Sequence, residues 1–450
     1  MLGAGVRTPF VLHGLVARQD ELGLREVTLH DVDADRLGTM TALGRFLCET
    51  WGGTFEVRGE DEPRAALAGA RFVFAAIRPG QEHARTLDEE LPLHHGVLGQ
   101  ETTGPGGFAM AMRTIPAMLE HARTIEEVAP TALVIDFTNP VGVVTQALLD
   151  HSGVRAVGVC DGPASMHRSI AAFLGVPQER VSVDYAGLNH CGWIHRVRVD
   201  GEDRLTDLLD RFEDLRRFDR HWGLFEPELV RKIGMLPMEY LYFFYDRDRA
   251  VAHIRGSAGT RGAQVAEIND ALWPVLRERV GAGDPAGAAG AWTRAMATRS
   301  DTYFARERGE HVRAAPDEDG SGPFRQDGYE GVAAAVILAA VRGGPAPLVL
   351  DVPNRGAIRC LEDDDVVEVT TMMDVNGARP LPQGGLPDDA EALLRRVKRY
   401  ERLTVLAATT GSYETALDAL TAHPLVDTEE LARAILDDYV SAHAGLMALS

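Results

Sequence analysis

A cysteine and a histidine frame the chemistry this sequence could perform. Cys160 closes the apolar run Arg155-Ala-Val-Gly-Val-Cys160-Asp161-Gly-Pro163, and His190 lies in Gly187-Leu-Asn-His190-Cys-Gly-Trp193, beside a segment that alternates like a strand. A thiolate and an imidazole at strand ends make a two-point site for a borderline divalent metal such as Mn(II), Fe(II), Co(II) or Ni(II). Two protein ligands would leave coordination positions open to substrate oxygens. A single buried Cys is more often core filler, and a single His more often a satisfied polar side chain. The metal reading therefore depends on the neighbouring motifs.

The chain opens Met1-Leu2-Gly3-Ala4-Gly5-Val6-Arg7-Thr8-Pro9 and then becomes helix-like. Gly3 and Gly5 match the first two glycines of a dinucleotide loop, where the missing Cβ allows a tight turn and close approach of backbone N–H groups to a pyrophosphate. Thr8 stands where the third glycine would be. Asp31 ends the next strand, where a carboxylate can accept hydrogen bonds from a ribose 2′-hydroxyl, which favours NAD over NADP. Its alternative is a solvated turn residue. Only Met1 and Leu2 precede Gly3, so the first strand of the unit is expected to be truncated and the true start to lie upstream.

Such loops need an α/β scaffold to position them. Strand-like runs at 27–31, 55–57, 72–77, 132–136 and 156–160 alternate with helical patterns at 34–50, 107–128 and 141–151. That alternation predicts an α/β fold with a Rossmann-like, doubly wound parallel sheet over residues 1–165. Residues 166–450 are expected to form a second, mixed and mainly helical domain for substrate, metal and oligomerisation. Within it, strands at 181–185 and 193–199 bracket the Asn189-His190 turn. Helices dominate 205–300, 328–342 and 387 onward, and the acidic stretch from Ala315 to Pro323 reads as a loop.

Composition narrows the function classes. The 450 residues carry a formal net charge of −21, which argues against nucleic acid or an anionic membrane as partner. Four cysteines without disulfide or zinc-ribbon spacing fit a reducing cytoplasm. No segment reaches the roughly 18 apolar residues needed to span a bilayer. A cytoplasmic homodimer or homotetramer acting on a small molecule is expected.

Three further runs bear on the chemistry. Arg85 leads a segment that ends in Gly99-Gln-Glu101-Thr-Thr-Gly-Pro-Gly-Gly107, Thr138-Asn139-Pro140 ends a strand, and Leu236-Pro-Met-Glu-Tyr240-Leu-Tyr-Phe-Phe-Tyr245 is an aromatic cluster. With the Cys160 and His190 motifs, their order and spacing resemble the NAD- and metal-dependent glycosidases of glycoside hydrolase family 4 over nearly the whole chain. The family is an exception to the two-carboxylate rule for glycosidases.

The resemblance implies a lactate/malate dehydrogenase-like fold and a redox-assisted elimination. NAD⁺ takes hydride from sugar C3, the ketone acidifies the C2 proton, a base removes it, and the C1–O bond breaks; water then adds and hydride returns. The resemblance makes Cys160 and His190 the metal ligands, with Mn²⁺ placed before Co²⁺, Ni²⁺ or Fe²⁺, and Tyr240 the C2 base. Asp161 matches the leaving-group acid of some members. Arg261, in Gly259-Thr-Arg261-Gly262, aligns near the active site with one residue inserted before it, and would lend positive charge to Tyr240 or bind substrate. Arg85, Glu101, Asn139 and Asn189 match substrate-contacting positions. Without the resemblance, Arg85 reads as a surface ion pair, Glu101 as a loop carboxylate and Asn139 as a helix cap.

The residue after the metal-binding Cys is commonly Asn in 6-phospho-β-glucosidases and Asp in 6-phospho-α-glucosidases, so Asp161 points to an α linkage. The Gly-Leu-Asn-His-x-Gly-Trp run, the Pro-x-Glu-Tyr-Leu-Tyr segment and Gly328-Tyr-Glu-Gly-Val-Ala resemble the β branch. A 6-phospho-β-glucosidase is therefore expected. The alternatives are a 6-phospho-α-glucosidase, an α-galactosidase-type member, an NAD-dependent hydroxy-acid dehydrogenase on the same fold, or a non-catalytic nucleotide-binding protein.

Overall fold

The computed structural model describes residues 3–219, 221–257, 259–307, 328–342, 344–447 and 449–450. Met1, Leu2 and the stretch from Ala315 to Pro323 lie outside the described residues. Parallel pairing begins with β1 (Glu26–Leu29) and β2 (Glu56–Gly59), which form a two-stranded sheet. A larger sheet starts with β3 (Phe72–Ala75), β4 (Leu133–Asp136) and β5 (Arg155–Gly158), again parallel. All four residues of β4 are buried, as a strand covered by helices on both faces requires.

The second half of the chain contributes β6 (Val181–Leu188), β7 (Cys191–Val199), β8 (Glu202–Asp203), β9 (Leu236–Pro237), β10 (Ala346–Pro353), β11 (Val366–Asp374) and β12 (Gly377–Pro380). They extend the sheet in the order β3-β4-β5-β10-β11-β6-β7-β8, with every added pairing antiparallel. The sequence pattern predicted the parallel strands and the 181–199 pair. It did not predict β10 and β11, which join the two regions: Asp351 on β10 pairs with Gly158 on β5 and with Glu368 on β11, and Glu368 pairs with Gly187 on β6.

Two close approaches position the loops of the site. Gly3 has φ 96°, donates its N–H to the His30 carbonyl at 2.6 Å, and would place a Cβ 2.7 Å from the Ala76 carbonyl oxygen. The dinucleotide loop is thereby wedged between the residues that follow β1 and β3, at the carboxyl ends of the strands. The Gly-Pro-Gly-Gly run serves a similar purpose at the start of the Pro105–Val128 helix. A Cβ on Gly106 would meet the Gly99 carbonyl at 2.4 Å, and one on Gly107 the Thr102 carbonyl at 2.3 Å. Glycine lets this helix lie backbone to backbone on the loop that carries Glu101. Pro105 through Ile115 are all buried, and Arg113 forms a buried ion pair with Asp88 at 2.5 Å. That pair fixes the Gln81–His94 helix, and with it Arg85, against the Pro105–Val128 helix.

Candidate active site

Leu188 pairs with Cys191, so Asn189 and His190 form the two-residue turn of the β6–β7 hairpin. His190 has φ 62°, a left-handed conformation that costs a residue with a Cβ about 1–2 kcal/mol. Such strain persists where the surroundings over-determine it. Here the His190 ring stacks on Tyr240, with centroids 3.8 Å apart and planes 4° from parallel. His190 is buried, and its Nδ1 has no hydrogen-bond partner. Burial lowers its pKa to about 4 against the opposing charge of Glu101, so the ring is neutral and able to ligate a metal.

Cys160 follows β5, is buried, and accepts a hydrogen bond from the Gly162 N–H at 3.4 Å. Burial pushes its thiol pKa up, and the nearby carboxylates Glu368, Asp161 and Asp351 push it further. Both Asp351 oxygens are buried without a hydrogen-bond partner. Glu368 accepts from Tyr185 Oη at 2.9 Å and Asn189 Nδ2 at 3.2 Å, yet burial raises its pKa to about 7. A thiol, a neutral imidazole and surplus buried carboxylate fit a divalent cation, whose charge would favour thiolate and carboxylate together. Among the described residues no three His, Cys, Asp or Glu side chains form a metal cage. Protein ligation by Cys160 and His190 would leave further positions open.

Tyr240 lies in the short helical turn Glu239–Leu241, just after β9, whose Pro237 pairs with Trp193 on β7. Tyr303 donates its hydroxyl to Tyr240 Oη at 2.9 Å and lies 3.3 Å from Glu239 Oε1. Burial and Glu239 hold the Tyr240 pKa well above its ordinary value, and the Tyr303 hydrogen bond opposes them. In the protein alone Tyr240 is therefore a phenol, and ionising it requires positive charge from a bound group. Asp161 is half-buried at the start of the Gly162–Leu174 helix, and its charge reaches Cys160, Glu239 and Tyr303.

Arg261 does not contact Tyr240. Its guanidinium donates to Gln264 Oε1 at 2.6 Å, Thr302 Oγ1 at 2.8 Å and the Arg299 carbonyl at 2.6 Å, beside the residue that holds Tyr240.

Arg85 is buried, not a surface ion pair, and bridges Glu89 at 2.9 Å and Glu101 at 3.1 Å. Arg78 binds the same Glu101 at 2.7 Å. Burial opposes the Glu101 charge, but Arg85 and Arg78 prevail and draw its pKa down to about 2. Asn139 is half-buried and precedes Pro140, which caps the Val141–His151 helix, so it is not itself the cap.

At the dinucleotide loop, Asp31 accepts from the Ala4 N–H at 2.9 Å and from the Asp33 N–H at 3.0 Å, which ties the loop to the end of β1. Thr8 opens the Thr8–Ala17 helix, and its buried hydroxyl has no hydrogen-bond partner. A helix start with no side-chain cap, the open face of Gly5 and an unpaired buried hydroxyl fit a pyrophosphate.

Sequence reasoning missed Arg78, Tyr303, Glu239, Asp351 and Glu368. Glu239 was visible beside Tyr240 in its motif; the others carried no local signal.

Residues 1–176 match the family model described as "Family 4 glycosyl hydrolase", and residues 185–426 match its C-terminal domain. The chain is 30% identical to a probable 6-phospho-β-glucosidase of Bacillus subtilis, covering 98% of this chain and 95% of that protein. The 6-phospho-β-glucosidase of Thermotoga maritima, solved with manganese, NAD⁺ and glucose-6-phosphate, is 25% identical with a TM-score of 0.82, covering 100% of this chain and 98% of that one. A 6-phospho-α-glucosidase from gut microorganisms, solved with NAD and Mn²⁺, is 26% identical with a TM-score of 0.81, covering 100% and 98%. With both halves of the sequence matched, the chain belongs to glycoside hydrolase family 4.

Proposed function

We propose that this protein hydrolyses 6-phospho-β-glucosides with the help of NAD and a divalent metal, Mn²⁺ first. The observation that carries the reading is the stack of His190 on Tyr240, within electrostatic reach of Cys160. When bound, the nicotinamide supplies reversible hydride acceptance at sugar C3, and the metal supplies Lewis-acid polarisation of the sugar oxygens.

The roles of the chain's own residues follow. Cys160 and His190 hold the metal, and Gly3, Gly5, Thr8 and Asp31 hold NAD. Tyr240, as its phenolate steadied by the Tyr303 hydroxyl, takes the C2 proton and becomes a phenol. Arg261 adds positive charge at one remove, through the Thr302–Tyr303 segment. Asp161 protonates the leaving oxygen. Arg85, Glu101, Asn139 and Asn189 orient the sugar hydroxyls.

Residues 1–165 form the NAD domain, and residues 166–450 form the substrate, metal and oligomerisation domain of a cytoplasmic homodimer or homotetramer. Among the described residues no helix is long and apolar enough to cross a membrane.

A second reading, hydrolysis of 6-phospho-α-glucosides, is favoured by Asp161. One assay separates the readings: release of aglycone from α- and β-glycosides, with and without a 6-phosphate, in the presence of Mn²⁺, NAD⁺ and a thiol reductant. Fastest turnover of the phosphorylated β-glycoside is expected. Cleavage of the α-anomer alone would replace the β reading, and net NADH accumulation on a hydroxy acid would overturn both.

A further inference from the structure

The Arg85–Glu101 side of the cleft holds an arginine that the roles above do not use. Arg299 sits in the last turn of the Pro285–Asp301 helix. That helix is fastened to the dinucleotide loop, because Trp292 donates its indole N–H to the Val6 carbonyl at 2.7 Å and packs on Phe10 with centroids 5.1 Å apart. Two turns later the same helix carries Arg299, whose charge interacts first with that of Arg7 of the loop, then with those of Glu82, Arg261 and Arg85, and also acts on Glu101. Its own carbonyl is bound by Arg261.

The guanidinium groups here are unequally served. Arg78 has Glu101 at 2.7 Å and Glu82 at 3.7 Å, and Arg85 has Glu89 at 2.9 Å and Glu101 at 3.1 Å. The Arg261 hydrogen bonds go to a neutral amide, a hydroxyl and a carbonyl. Among the described residues the Arg299 guanidinium has no hydrogen bond or ion pair, although it is half-buried and Arg7, Arg261 and Arg85 act against its charge while Glu82 favours it. Burial, then Arg7, pushes its pKa well below the usual arginine value. Unpaired charge out of bulk water is costly, and a fold that keeps it leaves it available to a ligand of opposite sign. A planar fork matched to tetrahedral oxygens takes phosphate, in bidentate fashion, better than any other side chain.

We propose that Arg299 recognises the 6-phosphate of the sugar and sets the preference for phosphorylated substrate. This rests on the phosphoglucosidase reading. The substrate phosphate, not the dinucleotide pyrophosphate, is the ligand assigned, because the pyrophosphate has its own cradle at Gly3, Gly5 and the Thr8 helix start, whereas Arg299, though it also feels Arg7 of that loop, is tied through its carbonyl to Arg261 and acts on the sugar-binding Arg85 and Glu101.

The test is calorimetric and needs no turnover. Wild type, Arg299→Met and Arg299→Lys, each loaded with Mn²⁺, are titrated with NAD⁺, and after NAD⁺ loading with glucose 6-phosphate and with glucose. Arg299→Met should weaken glucose 6-phosphate by about 10- to 100-fold, the range for losing a hydrogen bond to a charged group. It should leave NAD⁺ affinity within about twofold, and the melting temperature equal or higher, because an unpaired charge is gone. Arg299→Lys, which keeps the charge without the fork, should bind glucose 6-phosphate between the two, and it decides the matter alone should the Met variant not fold. Unchanged glucose 6-phosphate affinity in the variants would overturn the proposal. Loss of NAD⁺ affinity with glucose 6-phosphate unaffected would also overturn it and reassign Arg299 to the dinucleotide. Wild type that binds glucose as tightly as glucose 6-phosphate would remove the phosphosugar reading itself.

Discussion

Two regions of the cleft carry opposite electrostatic burdens. Around Cys160, the buried Glu368 and Asp351 and the half-buried Asp161 raise the thiol pKa, and Glu239 raises that of Tyr240. Around Arg85, guanidinium groups dominate: Glu101 is drawn down to about 2, and Arg299 stands unpaired among arginines. The first region is short of a cation and the second of an anion. A phosphosugar with its 2- and 3-oxygens toward a metal and its 6-phosphate toward Arg299 would satisfy both, which is how one cleft can orient a substrate before any bond changes.

The acidic region can be broken most completely at Cys160. Cys160→Ala should abolish metal-dependent turnover and weaken Mn²⁺ by more than the roughly 10- to 100-fold typical of losing a partner behind a ligand. NAD⁺ affinity should be kept, and titration calorimetry with each ligand separates the two effects. Tyr240→Phe should slow turnover by about 10²- to 10⁴-fold, the range for a positioned base, with Mn²⁺ and NAD⁺ binding nearly unchanged.

Tyr303→Phe tests the hydrogen bond that, among the described residues, favours the Tyr240 phenolate. Turnover near neutrality should fall by about 10- to 100-fold, and the rising limb of the pH profile should move to higher pH. A purely structural role for Tyr303 would lower activity without moving that limb.

Stability against pH sharpens the comparison with smaller effects of opposite sign. Glu368 is raised from an ordinary 4.5 to about 7, so the folded chain keeps that proton more tightly than the unfolded chain. Its contribution is full below about 4.5 and is lost as pH rises through about 7. Glu101, lowered from 4.5 to about 2, contributes fully above 4.5 and loses that contribution as pH falls through about 2. In metal-free protein, Glu368→Gln should flatten the neutral-side decline of the melting temperature, and Glu101→Gln the acid-side decline. Equal pH profiles for the two variants would erase the distinction between the regions.

Much of this was legible in the sequence where local pattern decides structure. The helical patterns at 34–50 and 141–151 agree with the Ala34–Thr50 and Val141–His151 helices. Strand-like runs at 72–77 and 132–136 contain β3 and end with β4. Doubly buried parallel strands write their burial into consecutive apolar residues. β10 and β11 do not: each has a carboxylate within it, Asp351 and Glu368, which reads as a solvated face but is buried. Motif spacing gathered His190, Tyr240, Arg85 and Glu101, but Tyr303 and Arg299 reach the cleft only through packing of the Pro285–Asp301 helix and the turn after it. No spacing rule encodes that contact. The partners of Arg261, Gln264, Thr302 and the Arg299 carbonyl, were not legible, because two of the three depend on that same helix and the turn after it.

The central claim is that the reaction breaks the sugar C2–H bond at Tyr240. Turnover of a 6-phospho-β-glucoside in D₂O, with the product read by NMR or mass spectrometry, tests it directly. Elimination predicts deuterium at C2 of the released sugar phosphate, because the abstracted proton exchanges before water adds and hydride returns. Product formed by the wild type with hydrogen alone at C2 would contradict the account.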